Sequence, residues 1–244
     1  MYLLKFHFAI TRFCYGTLLL LFLPVAVAKT ITIAASPWQG LTQADGSGLY
    51  FQIFREAMAT QDIQLTIRLS NWKRAKHMFY AKRADVLLAD YQHTDPSRFY
   101  PRWHLDYDQS VQLYSLQPLQ NLAQLENRPV GWMLGYDFDQ YLPVPVEPYE
   151  VATEEEGFML LQHQRLAAFI SYKNHQPDPM VLPLYSLEIL SAQPLYPLFH
   201  NDFQGRQLAR AYDLGMAQLY QSGRLAQLHS SKASYQHARY EQVK

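Results

Sequence analysis

Two hydrophobic periodicities alternate along the first half of the chain. Residues 31–35 form a short apolar run and residues 63–69 alternate apolar with polar side chains, which predicts two strands. Between them, apolar residues recur at helical spacing from Leu49 onward. Asn71 is a candidate N-cap for a second helix, and the apolar run at 84–89 predicts a third strand. This β-α-β-α-β order indicates an α/β unit with parallel strands.

The second half of the chain repeats the alternation of strands and helices. The pattern predicts, in order, a short helix at 119–125, a strand at 129–133, a helix after the capping box of Thr153 and Glu156, a strand at 166–170, a Pro-rich connection at 177–197 and a long helix at 208–219 ending at Ser222-Gly223. Two α/β units of roughly a hundred residues each predict two lobes with a cleft between them. A polar tail at 230–244 is expected to be loosely held.

The first 28 residues have the pattern of an export signal. Lys5 and Arg12 precede an apolar run that Pro24 interrupts, and Ala-Val-Ala follows at 26–28. The run is short for a transmembrane helix, which needs about 20 residues. We therefore expect a signal peptide at 1–28, cleaved after Ala28, and a periplasmic protein.

Composition and charge narrow the classes of function. The chain has 244 residues, 21 Lys and Arg against 21 Asp and Glu, and one cysteine, Cys14. Residues 1–28 contain two of the basic residues and no acid, so the remaining 216 residues carry a net charge of −2. Without a basic excess we expect no nucleic-acid partner, and without cysteine the mature chain has no disulfide or catalytic thiol.

Few residues suggest catalytic or metal-binding chemistry. No histidine pair has H-x-x-x-H spacing, and the glycines form neither nucleotide-binding motif nor a hydrolase elbow. We therefore expect no metal, no cofactor and no catalytic residue. The pairs Asp106/Asp108 and Asp137/Asp139 are interpreted as solvated loop acids.

A candidate ligand clamp follows the third predicted strand. Arg98 lies in the loop after that strand, where ligands of open α/β sheets bind, and a guanidinium can hold a carboxylate with two parallel hydrogen bonds. A surface pair with a nearby acid explains the arginine equally well. The aromatic residues Trp38, Tyr91 and Tyr136 also follow strands and can pack on a ligand.

Several short segments occur in the order found in a known family. Residues 30–38 (TITIAASPW) give a strand and a Pro-aromatic turn, residues 45–49 (DGSGL) match a D-G-x-x-G helix entry, and residues 95–98 (DPSR) are similar to a T-P-E-R motif. After a signal peptide, these segments resemble the family 3 periplasmic solute-binding proteins, the type II fold typified by the polar amino-acid binding components of ABC transporters. The resemblance covers residues 29 to about 231.

Further segments carry the resemblance together with its departures. Residues 72–74 and 82–85 are similar to a W-x-R…G-x-x-D segment, with Lys82 or Arg83 where the family has glycine. Residues 127–135 resemble G-K-x-V-G…G-T with Tyr136 in place of threonine, and residues 164–168 resemble G-R-x-D-A with Ala167 in place of aspartate. Residues 222–225 resemble the closing D-G-x-L turn. The resemblance implies that Arg98 holds a ligand carboxylate. The replaced threonine and aspartate usually help to grip an amino acid. Asp95 either neutralises Arg98, which favours a less anionic ligand, or receives a ligand ammonium.

The resemblance implies an α/β, two-lobed type II periplasmic-binding-protein-like fold with a ligand cleft. We expect a first lobe from 29–114, a second lobe from 115–191, and a return crossing with the C-terminal helix from 192–229. The expected ligand-binding residues are Trp38, Trp72, Arg74, Asp90, Tyr91, Asp95, Arg98, Tyr136 and Tyr172.

Three classes of function are compatible with these features. The leading hypothesis is a monomeric periplasmic binding protein that captures a small polar, amino-acid-like ligand for an ABC transporter or a membrane sensor. The alternatives are a dehydratase-like enzyme on the same scaffold and an interaction protein that has lost the pocket.

Overall fold

The computed structural model describes residues 29–59, 63–173, 175 and 183–243. The expected signal peptide at 1–28 lies outside the described residues, as does part of the Pro-rich connection. Among the described helices, none is long and apolar enough to cross a membrane.

The first sheet has the order β2-β1-β3-β11-β4, and β5 pairs with β11 beside this path. Both β2 and β3 run parallel to β1, whereas β11 is antiparallel to β3. The predicted parallel core of the first lobe is therefore present. Its strands are β1 (Lys29–Ala35), β2 (Ile63–Leu69), β3 (Val86–Asp90), β4 (Arg98–Phe99), β5 (Asp106–Tyr107) and β11 (Pro194–His200).

The second sheet has the order β10-β6-β9-β7-β8. Strand β7 is parallel to β8 and β9, while β6 and β10 are antiparallel additions. These strands are β6 (Val111–Ser115), β7 (Pro129–Met133), β8 (Glu147–Val151), β9 (Ala168–Tyr172) and β10 (Tyr185–Leu190). β6, most of which falls within the first lobe expected at 29–114, is thus hydrogen-bonded into the second sheet.

Helices cover both faces of the first sheet because successive side chains of a strand point to opposite faces. Ile31 and Ile33 of β1 pack in one core cluster with α1 and α4, while Ala34 packs in another cluster with α2. Asn71 caps α2 by accepting a hydrogen bond from the Arg74 backbone N–H, as predicted. The helices are α1 (Leu49–Ala57), α2 (Trp72–Tyr80), α3 (Glu154–Gln162), α4 (Phe203–Gln221), α5 (Arg224–Leu228) and α6 (Lys232–His237), with short 3-10 helices at Leu122–Leu125, Phe138–Tyr141 and Tyr240–Gln242.

The chain crosses between the sheets once before β6 and once after β10, and the two crossings lie side by side. The Asp108 backbone N–H donates to the Gln193 carbonyl at 2.8 Å, and the Leu105 N–H donates to the Leu195 carbonyl at 2.6 Å. Paired crossing strands of this kind form a hinge about which two lobes can close.

The sequence pattern misses β4, β5, β6, β8, β10 and β11, and the strand predicted at 166–170 lies at Ala168–Tyr172. β11 is hidden by its two prolines. Pro194 is its first residue, and Pro197 falls where the register with β3 shifts between Tyr196 and Leu198. Strand starts and bulges are the places where a sheet tolerates the missing N–H of proline.

The expectation of a loose C-terminal tail is wrong. Ala238 and Tyr240 are 0% and 1% exposed, and the Tyr240 hydroxyl donates to the Leu105 carbonyl at 2.6 Å. His104 Nε2 lies 2.6 Å from the Ala238 carbonyl. The tail therefore packs on the segment that leads into the hinge, although its polar composition hides the few apolar anchors.

Candidate functional site

The carboxyl end of β3 presents a buried acid to the space between the lobes. Ala89 has a φ of +68°, a conformation that costs a residue with a Cβ about 1–2 kcal/mol, and it lies at the bulge between β3 and β11. The next residue, Asp90, is 6% exposed, and its Oδ1 accepts from the Tyr91 N–H at 3.0 Å. Burial raises the pKa of Asp90 to about 6, although nearby Arg98 and Lys76 oppose the shift.

Arg98, the expected carboxylate clamp, is already engaged by acids of its own lobe. Its Nε donates to Asp95 Oδ2 at 2.9 Å, and its Nη1 lies 3.5 Å from Asp90 Oδ2. The guanidinium also lies over the Tyr80 ring, 5.1 Å from the ring centroid, and donates to the Tyr100 hydroxyl at 3.4 Å. Of the two sequence interpretations of Arg98, the structure displays the pairing with a neighbouring acid.

A second acid lies at the hinge. Asp108 follows β5, its Oδ2 accepts from the Tyr91 hydroxyl at 2.7 Å, and its Oδ1 accepts from the Gln109 N–H at 2.9 Å. The hydroxyls of Tyr91 and Tyr172 are 3.5 Å apart, so the first lobe, the hinge and the second lobe meet here. Burial raises the pKa of Asp108 above its ordinary range.

Aromatic side chains from both lobes line the region between the sheets. Trp38 Nε1 donates to the Tyr136 hydroxyl at 3.0 Å, and the ring centroids of Trp38 and Trp72 are 5.4 Å apart. Tyr136 in turn packs against Tyr172, with centroids 6.1 Å apart. Burial raises the pKa of Tyr136, so this hydroxyl stays neutral and keeps its proton at physiological pH.

Ion pairs link helix α2 of the first lobe to the second lobe. Lys73 Nζ lies 2.7 Å from Glu150 Oε2, and Lys76 forms a close pair with Asp137. Gly135 packs directly on α2, because a Cβ built at this residue would lie 2.5 Å from the Lys73 backbone nitrogen. The lobes are therefore in contact across the cleft.

Helix α3 contributes a third acid near the hinge. The Thr153 hydroxyl caps α3 by accepting from the Glu156 N–H at 3.1 Å, as the capping box predicts. Glu154 in the first turn pairs with His175 at 2.9 Å and accepts a short hydrogen bond from the Ser171 hydroxyl. The hydrogen bond that His175 makes to the Glu154 carboxylate raises the pKa of His175.

The structure brings eight of the nine expected site residues into this region. Arg74 is separate: its side chain is exposed on α2, one residue beyond the lysine that contacts Glu150. Ala167, which replaces the family aspartate, lies before β9 and packs with a cluster of the second-lobe core, whereas Tyr172 at the far end of β9 faces the hinge. The replaced aspartate position therefore does not line the cleft.

The interpretation of Asp106 and Asp108 as solvated loop acids is wrong. Asp106 is 8% exposed, and Asp108 is partly buried beneath Tyr91. Sequence reasoning also missed Lys76 and Glu154 as cleft residues. The alternation Asp106-Tyr107-Asp108 is a strand signal that was available, but the packing of the hinge against the tail was not.

The chemistry of the site is that of polar recognition. Carboxylates, tyrosine hydroxyls and aromatic faces converge here, and His93 Nε2 lies 3.9 Å from Asp90 Oδ1. Burial lowers the pKa of His93, which favours its neutral imidazole. Within the described ranges, no group of three or more His, Cys, Asp or Glu is arranged to hold a metal ion.

Comparison with known proteins gives a fold but no close relative. No family model matches the sequence, and no curated protein matches it. A substrate-binding protein of an amino acid ABC transporter superposes with a TM-score of 0.62 at 16% identity, covering 82% of this chain and 97% of its own.

Two binding proteins from Streptococcus pneumoniae are similar to the same extent. One, an amino acid ABC transporter substrate-binding protein bound to L-arginine, gives a TM-score of 0.61 at 13% identity over 88% of this chain and 97% of its own. The other, from an ABC uptake transporter with bound histidine, gives 0.63 at 13% identity over 86% of this chain and 93% of its own. This chain has the two-lobed α/β fold of the substrate-binding proteins of amino acid ABC transporters.

Proposed function

We propose that this protein is a solute-binding protein that encloses a small polar ligand between its two lobes. The observation that carries the proposal is the convergence of Asp90, Tyr91 and Asp108 with Tyr136 and Tyr172 at the hinge, from both sheets and a crossing strand. A ligand held by both lobes stabilises the closed arrangement, because only that arrangement supplies all the contacts.

The cellular setting of the proposal is the periplasm. The N-terminal pattern supports export with cleavage after Ala28, and structural neighbours that serve ABC transporters support delivery of the ligand to a permease or a membrane sensor. We propose that the protein acts as a monomer and binds its ligand without turnover, a proposal supported by structural neighbours that are binding proteins.

The experiment is a thermal-shift and calorimetric screen of residues 29–244 against amino acids, amines, small acids and sugars. A ligand present at 100 times its dissociation constant adds about 2.7 kcal/mol to the free energy of unfolding. For a chain of this size that raises Tm by roughly 5–11 °C. Absence of a shift with every solute contradicts the proposal. Turnover of a bound acid, measured by chromatography, supports the enzyme alternative instead.

One observation favours a non-binding interaction protein as the second candidate. The Trp38–Tyr136 and Tyr91–Tyr172 contacts fill part of the cleft with the protein's own side chains. If these contacts are permanent, Trp38→Phe, which removes the indole N–H, destabilises the protein without changing any ligand response. If they yield to a ligand, the same variant alters ligand affinity.

A further inference from the structure

We propose that the ligand of this cleft is an organic ammonium cation that lacks an adjacent carboxylate, rather than an α-amino acid. This inference rests on the proposed function and specifies the chemical class of the ligand. It is carried by the pairing of Arg98, Lys73 and Lys76 with acids of the protein, by a hinge carboxylate that pairs with no described Lys or Arg, and by the aromatic faces beside that carboxylate.

The positive charges are already neutralised by the protein. Arg98 is held by Asp95 and Asp90, both from its own lobe. To hold a ligand carboxylate in a bidentate fork, its guanidinium would have to release Asp95 at 2.9 Å or leave buried Asp90 without its cation. Leaving a buried charge uncompensated is strongly unfavourable, so an anionic ligand group competes poorly at Arg98.

The two lysines at the mouth of the cleft are also paired. Lys73 meets Glu150 and Lys76 meets Asp137, and both acids belong to the second lobe. Each pair joins the first lobe to the second, so it stabilises the arrangement in which the lobes are in contact. Arg98, Lys73 and Lys76 are therefore all occupied by acids of the protein.

Asp108, in contrast to the paired cations, is an acid with no Lys or Arg partner among the described residues. It accepts from the Tyr91 hydroxyl and the Gln109 N–H, the Tyr172 hydroxyl also lies close to it, and His175 interacts with it electrostatically. Among the described residues, no Lys or Arg lies within ion-pair distance of it. A carboxylate has about four lone-pair sites, so it retains capacity for a further donor. An ammonium group supplies this carboxylate with a further donor that carries a full positive charge at hydrogen-bond distance.

The walls around Asp108 suit a cation as well. Tyr91 and Tyr172 flank it with hydroxyls 3.5 Å apart, and Tyr136 packs against Tyr172 with ring centroids 6.1 Å apart. Aromatic faces attract ammonium groups within about 6 Å of the ring centroid, and more strongly when the cation is desolvated. The same faces accept the apolar carbons of an amine, so one surface satisfies both ends of the ligand.

The deciding experiment compares matched ligands by titration calorimetry on wild-type residues 29–244. The ligands are histidine, its decarboxylated amine histamine and its deaminated acid imidazole propionate, with tyrosine, tyramine and 4-hydroxyphenylpropionate as a second series. We expect at least one amine to bind ten or more times more tightly than its parent amino acid, with no measurable binding of the acids. Equal or tighter binding of a parent amino acid, of an acid, or only of a sugar overturns the inference while the proposed function stands. Binding of no solute of any class overturns both.

A charge-neutralising variant then tests whether Asp108 is the residue that binds the ammonium group. Asp108→Asn should weaken amine binding at least tenfold, whereas Asp139→Asn, at an exposed acid of the second lobe, should change it less than twofold. Equal affinities of the two variants contradict the assignment to Asp108. If Asp108→Asn fails to fold, the wild-type ligand series decides the ligand class by itself.

Discussion

Asp106 offers the most direct test of the electrostatics at the hinge. It lies on β5, is 8% exposed, and accepts hydrogen bonds from the Tyr107 N–H at 2.8 Å and the Tyr50 hydroxyl at 3.2 Å. No described Lys or Arg lies within ion-pair distance of it. Burial raises its pKa from 3.8 to about 6. The fold therefore disfavours the charged form of this side chain.

The free-energy cost of burying the charged Asp106 side chain follows from its pKa shift. A pKa of about 6 in the folded state against 3.8 in the unfolded chain corresponds to about 3 kcal/mol at pH values above both. Asp106→Asn removes the charge and keeps an oxygen for the Tyr107 N–H, while the Tyr50 hydroxyl can turn to accept from the new amide. Burying the amide costs on the order of 1 kcal/mol, so we expect a net gain of roughly 1–2 kcal/mol at pH 8.

The effect of Asp106 on stability depends on pH. Because the folded state holds the Asp106 proton more tightly than the unfolded chain, the aspartate lowers stability as the pH rises from about 4 through about 6. Asparagine does not titrate, so its advantage should be full at pH 8 and should disappear below pH 4. The assay is urea unfolding of both proteins at pH 4, 6 and 8, followed by circular dichroism. Thermal unfolding at pH 8 should show the same gain as a rise in Tm of roughly 2–8 °C.

The control is Asp139→Asn, which removes an exposed charge and should change the free energy of unfolding by less than about 0.5 kcal/mol at each pH. A loss of stability for Asp106→Asn at pH 8 would refute the reasoning. A gain equal at pH 4 and pH 8 would show that packing, rather than the buried charge, is responsible.

Three further predictions concern the cleft and the helix ends. Gly135→Ala should block the close approach to Lys73 and keep the lobes apart, which X-ray scattering would show as a larger radius of gyration and calorimetry as weaker ligand binding. The control is Gly223→Ala, which is also at positive φ but has nothing within 4 Å of the added Cβ, so it should lower stability through backbone strain without changing either readout. Gln164→Gly, at a φ of +56° after α3, should stabilise the protein by about 0.5–1 kcal/mol in urea unfolding, and a loss would contradict the left-handed conformation. Thr153→Ala should cost about 1 kcal/mol by removing the α3 cap, with Thr153→Ser restoring most of it.

The periodic parts of the fold could be predicted from the sequence, and the antiparallel additions could not. β1, β2 and α2 carry their period and their cap locally, so the pattern places them within two residues of their observed bounds. β10 is exposed along most of its length and β11 contains two prolines, so neither has a local strand signal. Both are held by pairing with distant strands, which a local pattern does not report.

The candidate site also has a part that could be predicted from the sequence and a part that could not. Position after a strand indicates Tyr91 and Arg98, and these two residues gather with Asp90 at the end of β3. The burial of Asp108 depends on the crossing strands and on Tyr91 lying over it, so the sequence favoured a solvated acid. The engagement of Arg98 by two acids is likewise a property of packing, because Asp90 lies at the end of β3 and Arg98 on β4, and β11 separates these strands in the sheet.

The departures from the solute-binding pattern fall into two physical kinds. Lys82 and Gln164 replace glycines, yet both adopt positive φ, at +54° and +56°, and both side chains are exposed, so the backbone geometry survives at the cost of modest strain. Asp95 and Tyr136 lie where the proposed function places the ligand: one pairs with Arg98 and the other accepts a hydrogen bond from Trp38 across the lobes. The first kind leaves the fold intact, and under the proposed function the second changes recognition. A chain with both kinds should therefore keep the two-lobed fold while binding a different class of ligand from its amino-acid-binding neighbours.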